Sequence, residues 1–410
     1  MLRSDISSGD LPTMPRLLRP ALALGLALLA FGCPGSNAVK VGAVLPLTGD
    51  AQVYGKSIRN GLDLALQGVN ADKSQPFKID LTVVDSGSDP EKAKDLARQL
   101  YSDGAIAVIG GVTSAEALAM VSVADDKGRV LLSPSASQPQ LTGISSNFYR
   151  VFPSDASEGT MMANYAKQTL EITKVVVLSK QETYAKGAQQ VFRETFSELG
   201  GQVLDTVEFP PNTTDFAALV DHVGMLKPDA VYIAAYADEI VDLIGALRRS
   251  GFAGRILTTS SFAAADALKR AGQAAEGVYY TQTSFEPSEK KPEIQKFVDT
   301  YKAKYGEMPD LYAAHGFDAL QVMVAAIKDS GKSATNLWKG IRGIRDFPGV
   351  TGTFQFDERG DVKKFPRVYE VQGGRGVDIE KDREARAEEI RKKMKAIEDE
   401  LLRMRTQGGS

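Results

Sequence analysis

The stretch Ala105-Ile-Ala-Val-Ile109, Gly110-Gly111-Val112-Thr113-Ser114, followed by Val130-Leu131-Leu132 and Ser133-Pro134-Ser135-Ala136-Ser137, decides how the rest of the chain is read. A short apolar run ending in two glycines predicts a buried strand and a tight turn, and the residues after it predict a helix. A second short strand then ends in a loop dense in hydroxyls. Two strand ends with a helix start between them place backbone N–H groups and hydroxyls side by side. In an open parallel sheet that edge is where a ligand sits. A helix N-terminus there favours an anion or carboxylate, because its first amides are unpaired and its dipole end is positive. The same residues also fit an ordinary strand-to-helix loop with Ser114 as its N-cap.

At 410 residues the chain is too long for one core, so two lobes or domains are expected. With 49 basic and 52 acidic residues its net charge is -3, which gives no reason to expect nucleic acid as a partner. One cysteine allows no disulfide within the chain, and two histidines make a His/Cys metal site a poor fit. No metal or cofactor is therefore expected. The one long apolar run is at the start: Arg16 and Arg19 precede Ala21–Phe31, which stops at Gly32-Cys33. This is the pattern of an export signal, and it is set apart from the fold. Leu29-Ala30-Phe31-Gly32-Cys33 resembles a bacterial lipobox, with Cys33 as the lipidated residue, although Ala30 stands where Leu is more usual. A plain secretory signal with an incidental cysteine is the alternative. Met14 also begins a complete signal.

Beyond a short tether, strands and helices alternate. Val39–Leu45 and Phe77–Val84 read as strands, with helices at Tyr54–Asn70 and Pro90–Asp103. The pattern restarts around Phe148–Pro153 with a second βαβ array through Arg255–Thr259. Later crossings at Gly277–Thr283 and Gly352–Phe356 enclose three helices and lead to a strand at Arg367–Val371. Continuous apolar strands alternating with amphipathic helices imply parallel sheets covered on both faces. The fold class expected is α/β: two doubly wound parallel-sheet lobes with several crossings between them, and a C-terminal helical tail. In that tail Ile390, Met394, Ile397, Leu401 and Met404 repeat at four, three, four and three residues within a run of charges. A coiled coil pairing with another chain and a solvated helix packing one stripe on its own lobe both fit.

Gly49-Asp-Ala-Gln-Val-Tyr-Gly55-Lys56-Ser57 misses the phosphate-binding loop by one residue, because five residues separate its glycines where the pattern requires four. Neither a G-x-S-x-G elbow nor an H-E-x-x-H helix occurs, so no catalytic residues are expected. His222 and His315 fall within helices and read as structural or surface residues. Tyr54, Tyr184 and Tyr236 lie near strand C-terminal ends, where a tyrosine can cover a small ligand and still hydrogen-bond.

Taken in order, Val41-Gly-Ala-Val-Leu-Pro-Leu-Thr-Gly49 with Tyr54-Gly55, Asp85-Ser-Gly-Ser-Asp-Pro90, Ile109-Gly110, Ser133–Ser137 and Asp215-Phe216 resemble the leucine/isoleucine/valine-binding proteins of ABC importers. The resemblance covers roughly Val39 to Gln372. It implies a type I periplasmic-binding-protein fold with a three-crossing hinge that closes on ligand. Lobe 1 would comprise residues 39–150 and 283–350, and lobe 2 residues 151–282 and 351–375. Residues 1–33 would be the lipoprotein signal, 34–38 the tether and 376–410 the tail. The resemblance further implies that Ser114 binds a ligand carboxylate with Ser135 and Ser137. Thr113 and Ala136 are expected to bind the ligand with them, and Tyr54, Tyr184 and Tyr236 to line the cleft. Two departures stand out. Ser88 and Thr113 occupy the places of the family's disulfide. Thr258-Thr-Ser-Ser261 replaces the acid that holds the ligand ammonium, with Asp238 or Glu239 as possible substitutes. The expected protein is not an enzyme. It is a lipid-anchored binder of a small amino acid or related carboxylate, outside a bacterial membrane, that delivers to an ABC permease. The rival reading is a bilobed lipoprotein sensor or assembly factor, using its heptad tail on a protein partner or on itself.

Overall fold

The computed structural model describes residues 37–407, except Ala265 and Ser284. Cys33, the signal and most of the tether lie outside the described residues. The first lobe is built on β1 (Ala38–Leu45), β2 (Lys78–Asp85), β3 (Ala107–Gly110), β4 (Val130–Ser133) and β5 (Phe148–Arg150). Helices α1 (Gln52–Ala71), α2 (Pro90–Ser102) and α3 (Ser114–Lys127) connect them. All pairings are parallel, in the order β2-β1-β3-β4-β5. β3 and β4 are buried along their whole length, as strands covered by helices on both faces must be. Sequence chemistry sets the helix ends. Asp89 caps α2 by accepting from the amides of Glu91 and Lys92, with Pro90 in the first turn.

The second lobe follows with α4 (Asp155–Asn164), β6 (Lys174–Lys180), α5 (Thr183–Glu198), β7 (Gln202–Phe209) and α6 (Ala217–Leu226). It continues through β8 (Ala230–Ala234), α7 (Ala237–Arg249), β9 (Arg255–Thr258), α8 (Ala267–Ala271) and β10 (Tyr279–Gln282). The chain then forms α9 (Pro292–Tyr305), α10 (Leu311–Ser330) and α11 (Leu337–Gly343). α10 packs on α1 so closely that a Cβ on Gly61 would collide with the Ala313 carbonyl, and one on Gly316 with the Ile58 carbonyl. A separate hairpin joins β11 (Phe347–Gly349) to β12 (Gly352–Phe354).

Residues 356–361 run beside β5, where the Arg150 amide donates to Gly360 O at 3.1 Å. The fully buried Arg150 also holds Asp361 with two bonds, 2.7 and 2.9 Å. Only then does the chain enter the second sheet, as β13 (Arg367–Gln372) and β14 (Arg375–Asp378). That sheet has the order β14-β13-β10-β9-β8-β6-β7, parallel from β7 to β10 and antiparallel at β13 and β14. β14 occupies the start of the expected tail, so the final helix, α12 (Ile379–Gln407), begins three residues later than residue 376. No helix among the described residues is long and apolar enough to cross a membrane.

Candidate functional site

Both lobes turn the C-terminal ends of their parallel strands toward one small cleft. The first lobe lines it with Val112, Thr113 and Ser114 after β3, Ser135 and Ser137 after β4, and Tyr54 from α1. The second supplies Tyr184 from α5, Tyr236 after β8, and Ser260 and Ser261 after β9. Phe152 and Tyr312 complete the lining.

The serines converge because the two loops are stitched together. Gly111 turns the chain at φ +66°, a conformation open to glycine. Thr113, rather than Ser114, caps α3. Its hydroxyl accepts from Glu116 N, and the Glu116 carboxylate accepts from Thr113 N, a reciprocal capping box. Ser114 is therefore the first helical residue, and its Oγ accepts from Gln138 N at 3.3 Å in the neighbouring loop. Its proton remains available to a ligand acceptor. Ser133 Oγ donates to Gly111 O at 2.8 Å and accepts from Ala136 N at 2.9 Å, while Ser135 Oγ donates to Val112 O at 2.7 Å. The first amides of α3 open onto the same place, where an α-helix leaves them without an intrahelical acceptor.

The opposite wall is aromatic. Tyr184 and Tyr236 stack with centroids 6.0 Å apart, and Tyr54 meets Tyr236 edge-on at 5.7 Å and Tyr312 at 4.6 Å. Tyr54 also ties the lobes together. Its Oη accepts from Ala237 N at 2.7 Å, capping α7 from the other lobe, and donates to Ser261 O at 3.4 Å. Lys180, 1% exposed, stands 4.6 Å over the Tyr236 ring and bonds Glu239 at 2.5 Å and Asp50 of the first lobe at 3.3 Å.

Two of the residues named from sequence do not line the space. Ala136 is buried beside it, and Asp238 turns outward to Arg270 at 2.6 Å. Glu239 is held by Lys180. Buried carboxyls that do approach the lining include Glu182, which accepts from the Tyr184 amide, and two on α4. Asp155 and Glu158 are 1% and 3% exposed, and Asp155 Oδ1, Oδ2 and Glu158 Oε1 make no ordinary hydrogen bond among the described residues. Burial and the neighbouring Glu158 push the Asp155 carboxyl well above the usual range. Burial pushes Glu158 up to about 7, against the opposing effect of the Ser260 and Thr281 hydroxyls beside it.

Ser88 and Thr113, in place of the family's cysteines, have hydrogen-bonding duties instead. Ser88 Oγ accepts from Ala51 N at 3.0 Å and donates to Thr48 O at 2.9 Å, while Thr113 caps α3. Sequence reading did not name Val112, Phe152, Ser260, Ser261 or Tyr312 as ligand-binding residues. Phe152 follows β5 and obeys the same strand-end rule that selected the serines. Tyr312 arrives on α10, more than 250 residues from Tyr54, and nothing local in the sequence signals it. His222 pairs with Asp205 at 2.7 Å. His315 is buried against Phe152 at 4.7 Å between centroids, and burial keeps its ring neutral.

Two parallel-sheet lobes facing strand ends across a hydroxyl-lined cleft define a bilobed binding protein. The periplasmic binding protein family model matches residues 38–375, and the chain belongs to that family. It is 24% identical over 358 residues to a leucine-, isoleucine-, valine-, threonine- and alanine-binding protein of Pseudomonas aeruginosa, covering 87% of this chain and 95% of that one. A leucine-binding protein from Thermotoga maritima superposes with a TM-score of 0.78 at 31% identity, covering 83% of this chain and 97% of the other. The branched-chain amino acid transporter substrate-binding protein of Streptococcus pneumoniae, solved with isoleucine, gives 0.78 at 26% identity over the same shares.

Proposed function

We propose that the protein captures a small carboxylate-bearing solute, an amino acid or a relative of one, and hands it to an ABC permease. The observation that carries this reading is the convergence of Ser114, Ser135 and Ser137 with the start of α3 on one cleft between the lobes. Ser114 Oγ keeps its proton for a ligand acceptor, and the start of α3 offers backbone amides, as a carboxylate requires. The Ser135 hydroxyl is instead committed to Val112 O and shapes the wall. The cleft is small and lined by uncharged side chains, which suits a solute of few atoms. The names of the Pseudomonas, Thermotoga and Streptococcus relatives support the amino-acid assignment.

The cationic pole of such a ligand finds no partner in Asp238. We assign it to the α4 carboxyls, with Asp155 behind Ser137 and Glu158 behind Ser260, both serines lining the cleft. We place the lobes at residues 39–150 with 283–361 and 151–282 with 367–378, hinged at the three crossings. Ligand that touches both lobes favours the closed form by its differential affinity. The signal-like start and Cys33 support a lipid anchor on the outer face of a bacterial membrane. No bond is made or broken. Equilibrium dialysis with labelled leucine, alanine and a simple carboxylate tests the site: Ser114→Ala should weaken retention about ten- to a hundredfold, since a hydrogen bond to a charged group is worth ~1.5–3 kcal/mol. Equal retention by the variant would remove Ser114 from the site.

A further inference from the structure

α12 is docked only at its root. Asp378 receives the amides of Glu380 and Lys381, and Ile379 packs against the second-lobe core. From Arg383 onward every residue whose side chain is described is exposed, and the helix spans about 43 Å at ~1.5 Å per residue. The reading in which its apolar stripe packs on the chain's own lobe is therefore absent from the described structure. Ile390, Met394 and Ile397 are 57%, 65% and 59% exposed. Apolar side chains so open on one stripe of an otherwise charged helix are unusual unless a partner covers them.

The spacing identifies the partner. Ile390 and Ile397 take heptad position d and Met394 position a, with Ala387 before them and Leu401 and Met404 continuing the repeat in the sequence. In a parallel assembly the residue at g faces the residue at e five places later on the neighbouring strand. Lys393 at g thereby meets Glu398 at e, and the sequence repeats the match at Glu400 and Arg405; the earlier Arg386 and Arg391 are like-charged. Within its own strand the helix is stabilised by Arg386–Asp382, Lys392–Glu388 and Lys393–Glu389 pairs. Isoleucine at d with methionine or leucine at a favours more than two strands.

We propose that the exposed stripe of α12 joins copies of this chain into a small parallel coiled-coil assembly. The repeat is only about three heptads long, so association is weak in solution. Sedimentation equilibrium of the full chain in detergent, from 1 to 200 µM, tests it. The parent should associate over that range, and the Ile390→Lys/Ile397→Lys double variant should remain monomeric with unchanged thermal stability. Lys393→Glu should weaken association about fivefold, and adding Glu398→Lys should restore it. A parent that is monomeric at 200 µM, association indifferent to the double variant, or a charge defect that the second exchange fails to rescue would each overturn the proposal.

Discussion

Replacing Glu158 by glutamine has a consequence that can be calculated. The folded protein holds the Glu158 proton up to about pH 7, whereas an unfolded chain releases it near 4.5. Between those values the native state binds more protons than the unfolded one, so stability is full below 4.5 and falls as pH rises toward 7. At about 1.4 kcal/mol per pH unit the loss is roughly 3 kcal/mol, a large part of a typical folding free energy. The raised Asp155 carboxyl acts in the same direction, so Glu158→Gln leaves a shallower slope rather than none. Urea unfolding followed by circular dichroism at half-unit steps from pH 4.5 to 8.5 measures it. The variant should match the parent at the acid end and exceed it by up to about 3 kcal/mol at pH 8, because an amide has no charge to bury. Parallel curves for the two proteins would mean that Glu158 titrates alike in the folded and unfolded states and that its burial does not shift it.

Three further outcomes follow from named contacts. Asp361→Asn leaves the Arg150 guanidinium buried without its counter-charge and should cost about 3–5 kcal/mol, read as a urea midpoint shift. Tyr54→Phe removes the hydroxyl that caps α7 from across the cleft, costing ~1–3 kcal/mol at the now unpaired Ala237 amide. Small-angle scattering without ligand should then show a larger radius of gyration. If Asp155 and Glu158 meet a ligand ammonium, binding of an amino acid at pH 6 should release protons, while binding of a ligand lacking the amine should not. Calorimetry in two buffers of different ionisation enthalpy separates these results.

The parallel lobes were legible because their central strands are short, mostly apolar runs between glycines or charges, and Ala107–Gly110 and Val130–Ser133 appear almost where the pattern put them. The serine loops were legible for the same reason, since a strand end and a helix start are local signals. The edges were harder to read. β14, with two of its four residues half-buried, carries no apolar run, and Arg375–Asp378 therefore read as the beginning of the tail. The site's other half depends on long-range packing. Tyr312 comes into the cleft only because Gly61 and Gly316 let α10 lie against α1. Asp238 looked available because it follows Tyr236 closely. On α7 that position turns to solvent and Arg270, while Asp155 and Glu158 come from α4, about 80 residues earlier.

The proposed function requires that the serine loops of one lobe and Tyr184 and Tyr236 of the other form a single solute site. Isothermal titration of the protein, stripped of bound ligand by unfolding and refolding, against a panel of amino acids and small organic acids tests it most directly. At least one carboxylate-bearing solute should bind one-to-one at micromolar or tighter affinity, and Ser114→Ala/Ser137→Ala should abolish that binding. Absence of binding below millimolar across the panel, or binding untouched by that double variant, would contradict it.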